Sequence, residues 1–278
     1  MMPAVQLCNV SRFQDDVPVL HGIDLLIPSG QTCAVIGPSG SGKSTLLNLI
    51  GLLDRPCAGQ VWIGGTDMTG ASADQRAVMR NRLIGFVFQS FNLLPRLCAL
   101  DNVALPLSYR GLRLPVARQL AEVQLRAVGL ASQAGKRPVE MSGGQRQCVA
   151  IARALVTEPN LLVADEPTGS LDAQTGEQVL QLLLTLNRER GTTLLVVTHD
   201  AKVAHRLQRR VRVDQGRLTD ARALRPWLAA TSERGIGQRA VDGASCLAGL
   251  AGYRRRLRVG GGVAEHGAKR SAACAAAV

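Results

Sequence analysis

The sequence predicts an α/β domain with a mainly parallel sheet, and three observations carry that prediction. Short runs that are apolar throughout, such as 32–36 and 161–164, suit strands covered on both faces. These runs alternate with stretches of helical period, the grammar of a parallel sheet linked by helices. The apolar fraction of 46 % supports a sizeable core, and no apolar run approaches the roughly 18 residues that a bilayer crossing needs.

The elements follow in order. Residues 32–36 form an apolar strand broken at Gly37, and 44–50 reads as helix. Residues 72–82 open with Ser72 and carry Gln75 three later, a capping-box start. Residues 83–88 read as strand. The segment 115–128 has Pro at its start, Gly129 at its end, and apolar residues at Val116, Leu120, Val123 and Ala127, a helical period. Residues 149–156 read as helix and 161–164 as a central strand. Asp172 caps a helix that is apolar at Val179, Leu183 and Leu186 and closes at Gly191. A buried strand over 194–198 and a hairpin at 211–218 end the pattern. The helix-rich stretch 92–155 interrupts the alternation and reads as an inserted helical subdomain.

Grammar and charge both change near residue 220. The formal charge is +12, but residues 1–216 hold 22 Lys and Arg against 17 Asp and Glu, whereas 217–278 hold 11 against 4. The body is thus only mildly basic. A domain over 4–220 and a poorly ordered Ala/Arg/Gly-rich tail over 222–278 are expected. The amino terminus lacks the basic patch and apolar stretch of an export signal, so a cytosolic chain is expected. Seven cysteines, scattered singly, argue against a disulfide framework or a zinc site.

Three clusters carry chemistry. Gly37-Pro38-Ser39-Gly40-Ser41-Gly42-Lys43-Ser44 fits the phosphate-binding pattern Gly-x-x-x-x-Gly-Lys-Ser between a strand and a helix. Its glycines let backbone N–H groups converge on phosphate oxygens, and the helix N-terminus adds partial positive charge. Lys43 would neutralise the β- and γ-phosphates, and the Ser44 hydroxyl would ligate Mg²⁺. The strand 161–164 runs into Asp165-Glu166, two carboxylates that need a cation. Mg²⁺ would supply it, held by Asp165 through water, while Glu166 polarises the attacking water. Met141-Ser142-Gly143-Gly144-Gln145 contains an ordinary capping box, but capping does not call for paired glycines. They instead open a helix N-terminus to close approach by an anion.

With these motifs in place, the sequence resembles the ATP-binding subunit of an ABC transporter over residues 5–220. The phosphate loop (37–45), Gln89, the signature (141–145), Asp165-Glu166, the loop Ser170-Leu171-Asp172 and His199 appear in the family's order. The wording of 85–95 and 101–107 is similar to the macrolide-exporter and lipoprotein-release branch. The resemblance implies a P-loop NTPase core with antiparallel edge strands. It also implies ATP as substrate, bound by 37–45 with Phe13 stacking on adenine, and catalysis by Glu166, His199, Gln89 and Lys43. Gln89 would also touch Mg²⁺. Ser142, Gly143, Gly144, Gln145 and Asp172 would act in trans, from the other subunit of a homodimer. A separate integral membrane permease would be the partner, with the chain peripheral on the inner face of the membrane. No nucleic acid is expected. The rival reading is a soluble DNA-associated ABC-type ATPase, and the absence of sustained heptads between the phosphate loop and the signature opposes it.

Two departures stand out. Met141 replaces the usual Leu, a volume-conserving change, and Cys148 stands where many relatives carry Arg, which removes a charge. The run 90–97 after Gln89 is unusually apolar for a loop, so a docking surface for the permease is expected there, with inward packing of Phe91, Leu93 and Leu94 as the alternative.

Overall fold

A computed structural model describes residues 2–15 and 17–219, so the tail at 222–278 lies outside the described residues. Two sheets are formed. The larger has the order β10-β9-β3-β8-β7-β6. Its strands are β3 (Thr32–Ile36), β6 (Ile84–Val87), β7 (Leu161–Asp165), β8 (Thr193–Val197), β9 (Arg209–Asp214) and β10 (Arg217–Leu218). All neighbours are parallel except β10, an antiparallel edge strand beside β9. Residues 3–28 show no steady alternation, yet they form two twelve-residue strands, β1 (Pro3–Gln14) and β2 (Val17–Pro28). Their register shifts at several points, and each bulge resets which residues face the core. With β4 (Ala58–Ile63) and β5 (Thr66–Asp67) they make a separate antiparallel sheet of order β2-β1-β4-β5.

The parallel strands are buried on both faces because alternate side chains enter different cores. Val35, Val163 and Leu195 meet Val5, Ile23 and Ile63 of the antiparallel sheet, together with Leu46 and Ile50 of α1 (Lys43–Ile50). Ala34, Leu162 and Val196 face the opposite way, toward Ile151 of α5 (Gly143–Leu155) and Val179 and Leu183 of α6 (Ala173–Arg190). The register then brings the carboxyl ends of the strands to one edge: Val87 pairs with Ala164, Asp165 with Val197, and Val35 with Val197. Open parallel sheets bind ligands along that edge.

The remaining helices are α2 (Ala73–Leu83), α3 (Ala99–Ser108), α4 (Leu114–Ala127) and α7 (Ala201–His205). The Ser72–Gln75 capping box forms as the sequence predicts, but Leu83 ends the helix rather than opening the strand. α5 begins at Gly143, six residues before the expected start, because Ser142 caps it. The apolar stripe of α4 departs from expectation: Val116, Leu120 and Val123 are 47, 43 and 56 % exposed, and Ala127 is exposed too. Ala117, Ala121 and Leu125 are buried instead, in one cluster with Val103 and Leu107 of α3 and Val149 of α5. Small residues let helix axes approach closely, so the alanine stripe wins over the bulkier one beside it.

The run after Gln89 is mixed. Leu93 packs on the α3–α5 cluster, Phe91 is half-buried and Leu94 is exposed. Asn102, fully buried in α3, pins the run. Its Oδ1 accepts from the Leu94 N–H at 2.7 Å, and its Nδ2 donates to the carbonyls of Leu94, Leu97 and Cys98 at 3.1 Å each. Asn102→Ala orphans these groups and should cost about 2–3 kcal/mol of stability in urea unfolding. An unchanged midpoint would show that the run is held by other contacts.

Candidate active site

The phosphate loop leaves β3 under the β9–β10 hairpin. A Cβ at Gly37 would lie 2.1 Å from the Val213 carbonyl oxygen, so no side chain fits there. The Gly216 N–H donates to the Ser41 carbonyl at 3.1 Å, and Gly42 rests on Leu20 and the Val19 carbonyl of β2. The loop is therefore gripped from two elements distant in sequence. It delivers the chain into α1 with no side-chain cap and no acidic residue in the first turn. A helix that starts with Lys43 opposes its own macrodipole, a choice that suits anion binding. Lys43 Nζ donates to the Gly37 and Pro38 carbonyls at 2.9 and 2.8 Å, which holds the ammonium across the loop. Ser44 is exposed and Thr45 half-buried in the same turn, and Ser39 and Gly40 are exposed at the loop's crest.

Phe13 lies near this loop through strand pairing. It is paired with Pro18, one residue before Val19, and at 43 % exposure it is not part of the core.

The carboxylates stand at the end of β7. Burial raises the Asp165 carboxyl above its ordinary range; the neighbouring Glu166 charge adds to this, and Lys43 opposes it. Glu166 adopts a left-handed backbone (φ 45°), an uncommon conformation for a residue with a side chain. Its N–H donates to the Val197 carbonyl at 2.9 Å. Its Oε1 accepts from the His199 N–H at 2.9 Å and lies 2.7 Å from His199 Nδ1, while Oε2 accepts from Thr198 Oγ1 at 3.1 Å. An ionised carboxylate only accepts, so Nδ1 carries the proton of that pair. The His199 side chain is 73 % exposed, which leaves Nε2 toward solvent.

Gln89 follows β6 and is exposed. Its Nε2 lies 3.0 Å from where a Cβ on Gly169 would stand, and its carbonyl accepts from Ser170 Oγ at 2.9 Å. Phe91 and Asn92 have left-handed backbones (φ 61° and 49°), and α5 holds both. Arg153 donates to their carbonyls, and the Arg146 guanidinium lies 4.9 Å from the centre of the Phe91 ring.

The signature occupies the start of that same helix. Ser142 Oγ accepts from the Gln145 N–H, and Gln145 Oε1 accepts from the Ser142 N–H, so the capping box is closed. The paired glycines serve packing as well. A Cβ on Gly144 would come 2.4 Å from Thr175 Cγ2, and one on Gly143 would come 3.3 Å from Leu171 Cδ2. Gln147, fully buried, donates from Nε2 to the Pro167 carbonyl at 2.8 Å. The signature thus abuts residues 167–175, where Asp172 caps α6 by accepting from the Thr175 N–H. Among the described residues, no hydrogen bond or ion pair joins 141–145 to the phosphate loop of the same chain. Cys148 packs between two apolar clusters, and burial raises its thiol pKa, so it acts as a small apolar side chain.

Residues 20–169 match the family model described as ABC transporter. The chain belongs to the ABC transporter family. It is 50 % identical over 202 residues to the lipoprotein-releasing system ATP-binding protein LolD of Anaeromyxobacter dehalogenans, covering 72 % of this chain and 84 % of that one. It is also 50 % identical over 203 residues to the macrolide export ATP-binding/permease protein MacB of Syntrophobacter fumaroxidans; that match covers 72 % of this chain but only 28 % of MacB's length. A dimeric structure of a post-hydrolysis state of the ATP-binding cassette MJ0796, bound to ADP and Pi, superposes with a TM-score of 0.71 at 41 % identity, covering 78 % of this chain and 97 % of that one. As an ABC cassette the chain binds ATP, and its reaction is hydrolysis to ADP and phosphate.

Several residues that build this cassette escape sequence motifs. Thr198 fixes Glu166, Val213 and Gly216 wall the phosphate loop, and Gln147 ties the signature helix to Pro167. The sequence offers a signal only for Gln147, a glutamine on an otherwise apolar helix face. Asp165 supplies a pH test. Its native carboxyl holds a proton more tightly than an unfolded one does. Ionisation therefore costs the fold stability as pH rises from the ordinary carboxylate range through the raised native value. Asp165→Asn should raise the melting temperature of the nucleotide-free chain at pH 7 by about 2 °C, with the gain fading as the pH is lowered toward 4. A variant no more stable at pH 7 than at pH 4, relative to wild type, contradicts this.

Proposed function

We propose that this chain is the ATP-hydrolysing subunit of a transporter, closing on ATP as a head-to-tail homodimer and driving a separate integral membrane permease. The observation that carries the reading is the separation of phosphate loop and signature: the signature abuts 167–175 rather than the loop that it would complete. A second copy, turned to face the first, would place Ser142, Gly143, Gly144 and Gln145 over the phosphate loop and Asp172 across the interface. The dimeric MJ0796 cassette and the LolD and MacB relatives support this. In such a transporter the work is export, lipoprotein release or mechanical transmission to the periplasm. Among the described residues no helix is long and apolar enough to cross a membrane. The permease would therefore hold the chain peripherally at the inner face, docked beside Gln89. The catalytic domain spans 4–220, with its helical subdomain at 92–155.

The geometry supports the following roles. Backbone N–H groups of 37–45 and the open start of α1 cradle the phosphates, Lys43 pairs with the β- and γ-oxygens, and Phe13 offers a ring to adenine. The Ser44 hydroxyl, the Gln89 amide and Asp165 through water are hard oxygen donors of the kind Mg²⁺ takes, beside a carboxyl pair short of positive charge. When bound, Mg²⁺ would neutralise charge developing on the phosphate oxygens. Glu166, aimed by Thr198 and His199, would accept the proton of the attacking water. His199, braced through Nδ1, would present Nε2 to the γ-phosphate.

Glu166→Gln should keep ATP binding, lose at least about a hundredfold in turnover, and accumulate an ATP-bound dimer on size-exclusion chromatography. Lys43→Ala should instead lose nucleotide affinity. Wild-type hydrolysis by Glu166→Gln would remove the assignment. For the domain boundary, a chain ending at Asp220 should hydrolyse ATP at a rate comparable to the full chain, and loss of activity would place part of the catalytic domain beyond it.

A further inference from the structure

β4 accompanies β1 only as far as Ser11. Their last register pair is Ser11 with Ala58, past a shift between Cys8 and Ser11. Gly59 lets β4 through at that shift, because a Cβ there would lie 2.3 Å from the Asn9 carbonyl oxygen. Among the described residues, Arg12, Phe13 and Gln14 therefore run on with β2 on one side and no strand on the other. The partner of Phe13 on β2 is Pro18, which has no N–H to offer. A strand end held on one side is a poor mount for a ring that must meet a flat base.

Residues at the exit of α1 take the place of the missing strand. The Cys57 N–H donates to the Ser11 carbonyl at 2.9 Å. Cys57 Sγ accepts from the Phe13 N–H at 3.5 Å and from Arg12 Nη1 at 3.3 Å. Arg12 Nε pairs with Asp54 Oδ2 at 2.9 Å, and the Asp54 N–H donates to the Asn48 carbonyl of α1 at 3.2 Å. Asp54 Oδ1 accepts from the Arg55 N–H at 2.8 Å, which fixes the carboxylate. The donors on the sulfur hold the Cys57 thiol below its ordinary pKa, the Phe13 N–H first and Arg12 second. A sulfur that leans toward thiolate accepts more strongly than a neutral thiol. One short relay thus runs from α1, whose first residue is Lys43, to the ring.

We infer that Arg12, Asp54 and Cys57 are positioning residues for the base of the nucleotide, holding Phe13 at a fixed place relative to the phosphate loop. The inference rests on the reading of Phe13 as the ring that stacks on adenine, and adds what aims that ring. A ring already in place binds more tightly than one that must be ordered when the ligand arrives, because ordering costs free energy. The three residues act through Phe13 and need not touch ATP themselves. Arg12 and Asp54 are partly exposed, with side chains 30 and 35 % accessible, so their ion pair contributes little to the stability of the fold as a whole. Its effect is on where the strand end sits.

Steady-state ATP hydrolysis by variants of the full chain tests this. Phe13→Ala should raise KM about tenfold, the loss of a stacked ring. Cys57→Ala should raise KM about fivefold, as for one lost hydrogen bond, with kcat unchanged, which also reports an intact fold. Cys57→Ser keeps an acceptor at that place and should return KM to the wild-type value. Asp54→Ala should raise KM about twofold. In the Phe13→Ala background, Cys57→Ala and Asp54→Ala should add nothing, because a residue that acts through the ring has no effect once the ring is gone. A merely structural role would instead give factors that multiply. Multiplying factors, a wild-type KM for Cys57→Ala or Asp54→Ala, or a Cys57→Ser as weak as Cys57→Ala would overturn the inference while leaving Phe13 at the base. A wild-type KM for Phe13→Ala would remove the reading of the ring itself, and the inference with it.

Discussion

Two adjacent carboxylates stand at the end of a strand buried on both faces, and one ammonium group acts against their charge. That imbalance organises the site. Asp165 is raised by burial first and by Glu166 second, with Lys43 alone opposing. Glu166 is held by neighbours just beyond β8: the Thr198 hydroxyl, the His199 N–H and the His199 ring all meet its oxygens. The surplus negative charge sits along the sheet's carboxyl edge, where Gly37 opens the phosphate loop. A hard cation held by these carboxylates would offset that charge, the kind of ion that ATP chemistry calls for.

The second layer of the design joins the site to surfaces far from it. α5 is the hub: its first turn bears the signature, Gln147 reaches the Pro167 carbonyl, and Arg146 and Arg153 hold the segment after Gln89. That segment carries two successive left-handed residues, Phe91 and Asn92, a strained backbone that its surroundings must fix. A displacement of α5 cannot leave Gln89 or Pro167 untouched.

What the sequence discloses is local. The phosphate loop, the strand running into Asp165-Glu166, and the caps at Ser72, Ser142 and Asp172 each depend on residues within a few positions, and each forms as its residues dictate. Periodicity misleads where two adjacent stripes both have helical spacing. In α4 it marks Val116, Leu120 and Val123, but close packing selects Ala117 and Ala121. The bulged pairing of β1 with β2 hides a long antiparallel sheet. Contacts across sequence distance are also invisible in one chain's text. Val213 over Gly37 and Thr198 on Glu166 emerge only from the fold.

The central claim is that one chain holds two halves of different ATP sites and completes neither alone. Mixing two inactive chains tests it most directly: Lys43→Ala, defective in the phosphate loop, and Ser142→Arg, obstructed in the signature. In a mixed dimer one site pairs an intact loop with an intact signature, so steady-state ATP hydrolysis by the mixture should rise well above the sum of the separate chains. Activity equal to that sum, with mixed dimers shown to form, would contradict a site shared between subunits.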